Sequence, residues 1–220
     1  MTSDLLGLFG TGILETLYMV IVSTILAYII GIPMGIILNI TSSNGIKPNR
    51  AVNVILGVIV NILRSVPFII LLLALIPVTR AIVGTTVGST AIIVPLVVSA
   101  APFVARMIES SLKEVDAGVI EAAESMGSTR MQIIFKVLLP EAKPSMTVGA
   151  AITIVTILGY SAMAGFVGGG GLGAIAINYG YYRYDYQIML ITVVLIVIIV
   201  QIFQEVFMRI ATKTDKRINK

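Results

Sequence analysis

"GILETLYMVIVSTILAYIIGIPMGIILNI", residues 12–40, carries a single charged side chain, Glu15. The hydrocarbon core of a bilayer needs about 20 predominantly apolar residues from a helix, so this stretch is long enough to cross with tilt. Comparable stretches follow at 51–79, with Pro67 and Pro77 as kink points, and at 89–108, which contains Pro95 and Pro102. Two more lie at 145–167 and 187–210. Proline is tolerated inside membrane helices where neighbours satisfy the freed backbone groups. Composition agrees: hydrophobic residues make up 57% of the chain and charged ones 12%, against about 25% charged in soluble domains. Such a chain cannot clothe itself in a wetted surface. The fold class is all-α, a polytopic membrane protein with five transmembrane helices.

The bases set the orientation. Lys47 and Arg50 lie between the first two spans; Arg106, Lys113, Arg130, Lys136 and Lys143 lie at or between the ends of spans three and four; Arg209, Lys213, Lys216, Arg217 and Lys220 close the chain. The opposite face keeps only Arg80 and Arg183. Cytoplasmic segments are enriched in Lys and Arg. The expectation is a multi-pass cell-membrane protein with its N-terminus outside and its C-terminus in the cytoplasm. "MTSDLLGLFG" lacks the basic region of a cleavable signal, so span one is expected to be retained. Residues 12–210 read as one transmembrane domain and 211–220 as a basic cytoplasmic tail.

Several chemistries drop out. Cysteine and histidine are both absent, which removes disulfide frameworks, Cys/His zinc sites and Ser-His-Asp catalysis. The net charge of +4 sits at membrane borders, so nucleic acid is not an expected partner; the lipid bilayer is. Gly168, Gly170 and Gly173 satisfy G-x-G-x-x-G, but the run follows a membrane span rather than a strand. No Gly-Lys-Ser/Thr follows it either. A tight external turn is the simpler reading, and no cofactor or metal is expected in this chain.

Charges inside spans mark functional candidates. Glu15 lies near the outer end of span one, within reach of the interface. Arg64 is deeper, with Asn61 and Ser65 beside it, as a candidate intramembrane polar site. Two readings stand for Arg64: pairing with carbonyls or an acid on another helix, or contact with a substrate. Small residues recur as well: Gly31 and Gly35 around Pro33, and Gly149, Ala150, Thr153, Thr156, Gly159 and Ala162 along span four. Close helix packing explains them first.

Between spans three and four lies a polar insert, residues 116–140. Asp116 is placed to cap a helix presenting Val119, Ile120, Ala123 and Met126 on one side. Gly127 then suits a left-handed stop, and Thr129 with Gln132 forms a capping box for a second helix. That helix groups Ile133, Ile134, Val137 and Leu138 and is expected to stop at Pro140. Residues 116–139 carry three acids against two bases, which argues against a DNA-binding helix–turn–helix. An amphipathic pair lying on the membrane and a docking element for a cytoplasmic partner remain open.

Glu121, Ala122 and Ala123, followed by Gly127 and then by Leu139 and Pro140, resemble the EAA signature loop in membrane subunits of binding-protein-dependent ABC importers. "NILRSVPFIILLLALIPVTRAIVGTTVG", "IVPLVVSAAPFVARMIESSL" and "LGYSAMAGFVGGGGLGAIAINYGY" resemble the five-span type I permeases of methionine importers, with similarity from Leu14 to Gln201. The resemblance implies a type I transmembrane domain whose 116–140 loop forms two short cytoplasmic coupling helices. It also implies a homodimer, two cytoplasmic ABC ATPase subunits holding ATP and Mg, and an extracytoplasmic lipoprotein that delivers methionine. The chain itself would then carry no ATPase site and is not expected to be an enzyme. A permease for another small amino acid or sulfur compound is the alternative, and a secondary transporter a more distant one, since five spans do not divide into repeats.

Five spans in 220 residues leave little room for a pathway within one chain. A two-fold assembly places it at the interface. Span four, with "GYSAMAG", is the candidate lining: Met163 as an adaptable apolar gate, with Tyr160 and Ser161 beside it. Filling of helix–helix gaps is the competing role for these side chains.

Overall fold

The computed structural model describes residues 2–214, with side chains from Leu5 onward. Helix α1 runs Thr2–Ile40 and passes Pro33 without a break. It begins well before the expected start at residue 12. At 1.5 Å per residue it is about 58 Å long, nearly twice the hydrocarbon core, so it tilts or projects.

The expected span 51–79 is three helices rather than one. Helix α2 (Arg50–Ser65) starts at Asn49, whose side chain accepts the Val52 N–H at 3.2 Å. It then bends by 102° into α3 (Phe68–Ala74), and α4 (Ile76–Val83) follows with Pro77 in its first turn. The break has a local cause. Pro67 offers no N–H and disfavours helix in the residue before it; Val66 is extended, at φ −82° and ψ 124°.

Helix α5 (Ser89–Lys113) carries Pro95 and Pro102 without a break, both buried. It is the centre of the bundle, with α1, α2 and α8 packed around it. Gly31 and Gly35 explain the closeness of α1: a Cβ on Gly31 would lie 2.9 Å from the Ala101 carbonyl oxygen, and one on Gly35 would lie 2.6 Å from that of Ala105. The small-residue pair is a packing device.

Beyond α5 come α6 (Ala117–Ser125), α7 (Arg130–Gln132), a π-helical turn over Ile133–Leu138, and α8 (Leu139–Met163). Pro140 therefore does not stop the second short helix; it sits in the first turn of α8. The Leu139 N–H reaches back five residues to Ile134 O, and proline, lacking an N–H, fits the widened turn that follows. The second short helix of the insert runs on as one unbroken helical segment, Arg130–Val167.

A 3₁₀ turn (Ala164–Val167) and a glycine run lead to α9 (Gly171–Ile175), a second π turn (Ala176–Tyr181) and α10 (Tyr186–Thr214). Helix α10 thus takes up the start of the segment expected as a tail; Lys216, Arg217 and Lys220 lie outside the described residues. Four helices are long and apolar enough to cross a membrane, and the bent α2–α3 pair brings the number to five where it counts as one broken span. At one end of the bundle Asn53 Nδ2 donates to Leu38 O at 2.7 Å, and the turn at 42–46 borders a cavity with Ala117 and Ile120 of α6; this is the loop end. At the other, the glycine end, the Gly88 N–H meets Gly168 O at 2.9 Å.

Candidate coupling loop and pathway face

The loop 116–140 is built from its capping chemistry. The Asp116 carboxylate accepts the Gly118 N–H at 2.7 Å and starts α6. At the other end the Gly127 N–H donates to Glu124 O (2.9 Å) and the Ser128 N–H to Ala123 O (3.1 Å), the paired bonds of a Schellman stop. Gly127 has φ +77°, and a Cβ added to it would meet nothing within 4 Å. Its requirement is purely one of backbone conformation. Thr129 and Gln132 then cap each other reciprocally, Thr129 N–H to Gln132 Oε1 at 2.8 Å and Gln132 N–H to Thr129 Oγ1 at 3.4 Å.

The loop's apolar side chains divide in two. Ala123, Ile133, Ile134 and Leu138 are buried and share a core with Leu112 and Val115 at the end of α5. Met126, at 79% exposed, Met131 and Phe135 point away from the chain, as does Val119. The expected single face on α6 is therefore corrected: Ala123 and Ile120 turn inward, Val119 and Met126 outward. Glu121, Ala122 and Pro140 are exposed, and Leu139 is half-buried.

On α8 the three pathway candidates separate. Met163 is 49% exposed. Tyr160 is half-buried, its ring stacked on Phe68 of α3 at 4.6 Å and 4°. Ser161 is buried, its hydroxyl donating to Leu158 O at 2.8 Å, so it faces the bundle core and not the surface that Met163 occupies. Ile152, Gly159, Met163 and Phe166, spaced by seven, four and three residues, form an exposed helical stripe. A Cβ on Gly159 would meet nothing within 4 Å.

The polar set at the end of α2 is arranged differently from expectation. Asn61 Oδ1 accepts Arg106 Nη2 at 2.8 Å, and Ser65 Oγ donates to Asn61 O at 2.8 Å within its own helix. Arg64 joins neither; its guanidinium carbon lies 6.0 Å from the centre of the Phe103 ring. Arg106, taken from sequence only as a topological base, is the polar centre here, together with Glu109 and Lys113. The spacing Arg106, Glu109, Lys113 places all three on one helical face, a signal present in "RMIESSLK".

At the glycine end, Glu15 does more than reach the interface. Its Oε2 accepts the Gly171 N–H at 2.6 Å, and Thr16 Oγ1 accepts that of Leu172 at 2.9 Å. The glycine run is a turn, as expected, that also opens α9 onto α1. Gly168, Gly170 and Gly171 all have positive φ.

The family described as the inner membrane component of binding-protein-dependent transport systems matches residues 31–220. The probable D-methionine transport system permease protein MetI of Vibrio cholerae is 52% identical over 217 residues, covering 99% of this chain and 95% of that protein. The D-methionine transport system permease protein MetI of Escherichia coli K12 is 50% identical over 165 residues, 75% of this chain and 76% of that one. Among solved structures, an inward-facing conformation of the MetNI methionine ABC transporter superposes with a TM-score of 0.96 at 47% identity, covering 98% of this chain and all of that one. An amino acid ABC transporter matches at a TM-score of 0.79 and 20% identity, a likeness of fold.

Proposed function

Because the chain belongs to the inner membrane component family of binding-protein-dependent transport systems, we propose that it is the permease subunit of an ATP-driven importer of methionine. Two copies form the pathway. Each presents its 116–140 loop to a separate cytoplasmic ATPase subunit, which holds ATP and Mg, and an external binding lipoprotein delivers the solute. Relatives named as D-methionine permeases, similar over nearly the full chain, support the substrate.

The observation that carries the docking role is the outward set Met126, Met131 and Phe135 on a loop whose own core is already filled by Ala123, Ile133, Ile134 and Leu138. Met and Phe are enriched in protein–protein interfaces, and the exposed Glu121 and Glu124 add polar contacts beside them. On the pathway side, the stripe of Ile152, Gly159, Met163 and Phe166 faces the second copy or the solute, with Tyr160 braced from behind by Phe68.

The loop end is cytoplasmic in this reading and the N-terminus external, following the bases. The chain contains no cysteine, so single cysteines can be read without background. In intact cells, one replacing Thr85 is expected to react with an impermeant external thiol reagent, and one replacing Ser128 only after the membrane is opened. Co-purification with the ATPase subunit and ATP-dependent methionine uptake in vesicles complete the test. External labelling of position 128, or uptake without the ATPase, overturns the reading.

A further inference from the structure

Glu109 is 5% exposed and lies in the half of α5 nearest the loop end. A buried carboxylate is costly unless paired, and here both oxygens are occupied: Oε2 by Arg106 Nη1 and Oε1 by Lys113 Nζ at 2.7 Å. Lys113 alone would leave one oxygen without a partner. Arg106 does more than complete the pair. Its second terminal nitrogen crosses to α2, donating to Asn61 Oδ1 at 2.8 Å and Gly57 O at 3.3 Å. One planar guanidinium therefore holds a buried carboxylate on its own helix and two acceptors on the next.

The position of this fork gives it a second use. Four residues past Glu109, α5 ends, and Leu112 and Val115 share a core with Ala123 of α6. In the other direction, α2 leads through the Pro67 break to Phe68, which is stacked on Tyr160 of α8. Helix α2 lacks a long packed seam with α5 of the kind Gly31 and Gly35 provide for α1. Val60 of α2 shares a small buried cluster with Ala105 of α5, and the Arg106 fork adds a polar tie beside it.

We propose that Arg106 is a positioning residue that ties α2 to α5 so that displacement of the coupling loop is delivered to the broken span and its Phe68–Tyr160 contact. The proposal rests on the docking role assigned above to the 116–140 loop. Arginine is required because its fork serves two helices at once, whereas a lysine is a point donor. Arg106→Lys should still neutralise Glu109 while losing the bonds to Asn61 and Gly57. Asn61→Leu removes the shorter of the two bonds to α2, leaving only the 3.3 Å contact to Gly57 O, and keeps the buried pair intact.

The test uses the assembled permease–ATPase complex in lipid, with spin labels on cysteines replacing the exposed Val54 of α2 and Ser125 of α6. The wild-type complex should show an ATP-dependent change in the label distance. Arg106→Lys and Asn61→Leu should each shrink that change and lower uptake about tenfold, within the range typical of coupling between sites, while ATP hydrolysis continues. The double variant should be no worse than either single one, and the melting temperature of Arg106→Lys should stay near wild type. Unchanged distances and uptake in both variants overturn the proposal, as do additive losses or losses that track melting temperature. A wild-type complex with no ATP-driven distance change overturns the docking reading itself and this proposal with it.

Discussion

A glycine's meaning depends on what stands opposite its missing Cβ. At Gly35 the nearest atoms are the Ala105 carbonyl oxygen and Ile108 Cβ, both at 2.6 Å, and neither belongs to a flexible side-chain end. Gly10, on the same helix, would meet nothing within 4 Å. Gly35→Ala should therefore push α1 off α5 and destabilise the protein by about 1–3 kcal/mol, as overpacking does. Gly10→Ala should be neutral or slightly stabilising, since alanine favours helix over glycine by about 1 kcal/mol. Thermal unfolding in detergent checks both; equal melting temperatures would contradict the packing role of the Gly31/Gly35 pair. The pair was legible in sequence because two small residues one turn apart suit close packing. Arg106 was not. Its spacing with Glu109 and Lys113 was visible, but Asn61 and Gly57 lie 45 and 49 residues away, and only the packing of α2 on α5 brings them together.

Helix starts and stops were legible where the chemistry is local. Asp116, Gly127 and the Thr129–Gln132 box each act on backbone groups within a few residues, and each does so as expected. Prolines were not, because the same ring breaks α2 at Pro67 and passes through α5 at Pro95 and Pro102. Exposure does not separate them either: Pro95 and Pro102 are buried, yet the exposed Pro33 passes through α1 without a break while the exposed Pro67 ends α2. The Gly127 stop can be tested as a unit. Gly127→Val should cost about 1–2 kcal/mol by forcing a branched side chain into the left-handed region, and Gly127→Asn should cost less, because asparagine tolerates it. Association with the ATPase, measured by co-purification, should fall for valine more than for asparagine, with membrane insertion unchanged. Equal association for both would show that the angle between α6 and α7 does not matter to docking.

Across the whole molecule, Met163 sits on a stripe that the other described residues leave open, at 49% exposed. Truncating a buried methionine costs about 2–5 kcal/mol through the cavity it leaves; truncating this one leaves no such cavity within the chain. Met163→Ala should keep the melting temperature of the detergent-solubilised chain and raise solute leak, or ATP hydrolysis without uptake, in reconstituted vesicles. A lowered melting temperature with an unchanged leak assigns the residue to packing instead. The bond between Glu15 and the Gly171 N–H joins residues 156 positions apart. A chain made from its N-terminus presents α1 to the membrane long before the glycine run leaves the ribosome. Throughout that interval the Glu15 carboxylate and the acceptor side of the Thr16 hydroxyl lack their backbone N–H partners, although Thr16 still donates to Gly12 O within α1. Completion of the bundle at the glycine end is thus a late step in biogenesis, set by the arrival of residues 171 and 172 and not by the insertion of α1.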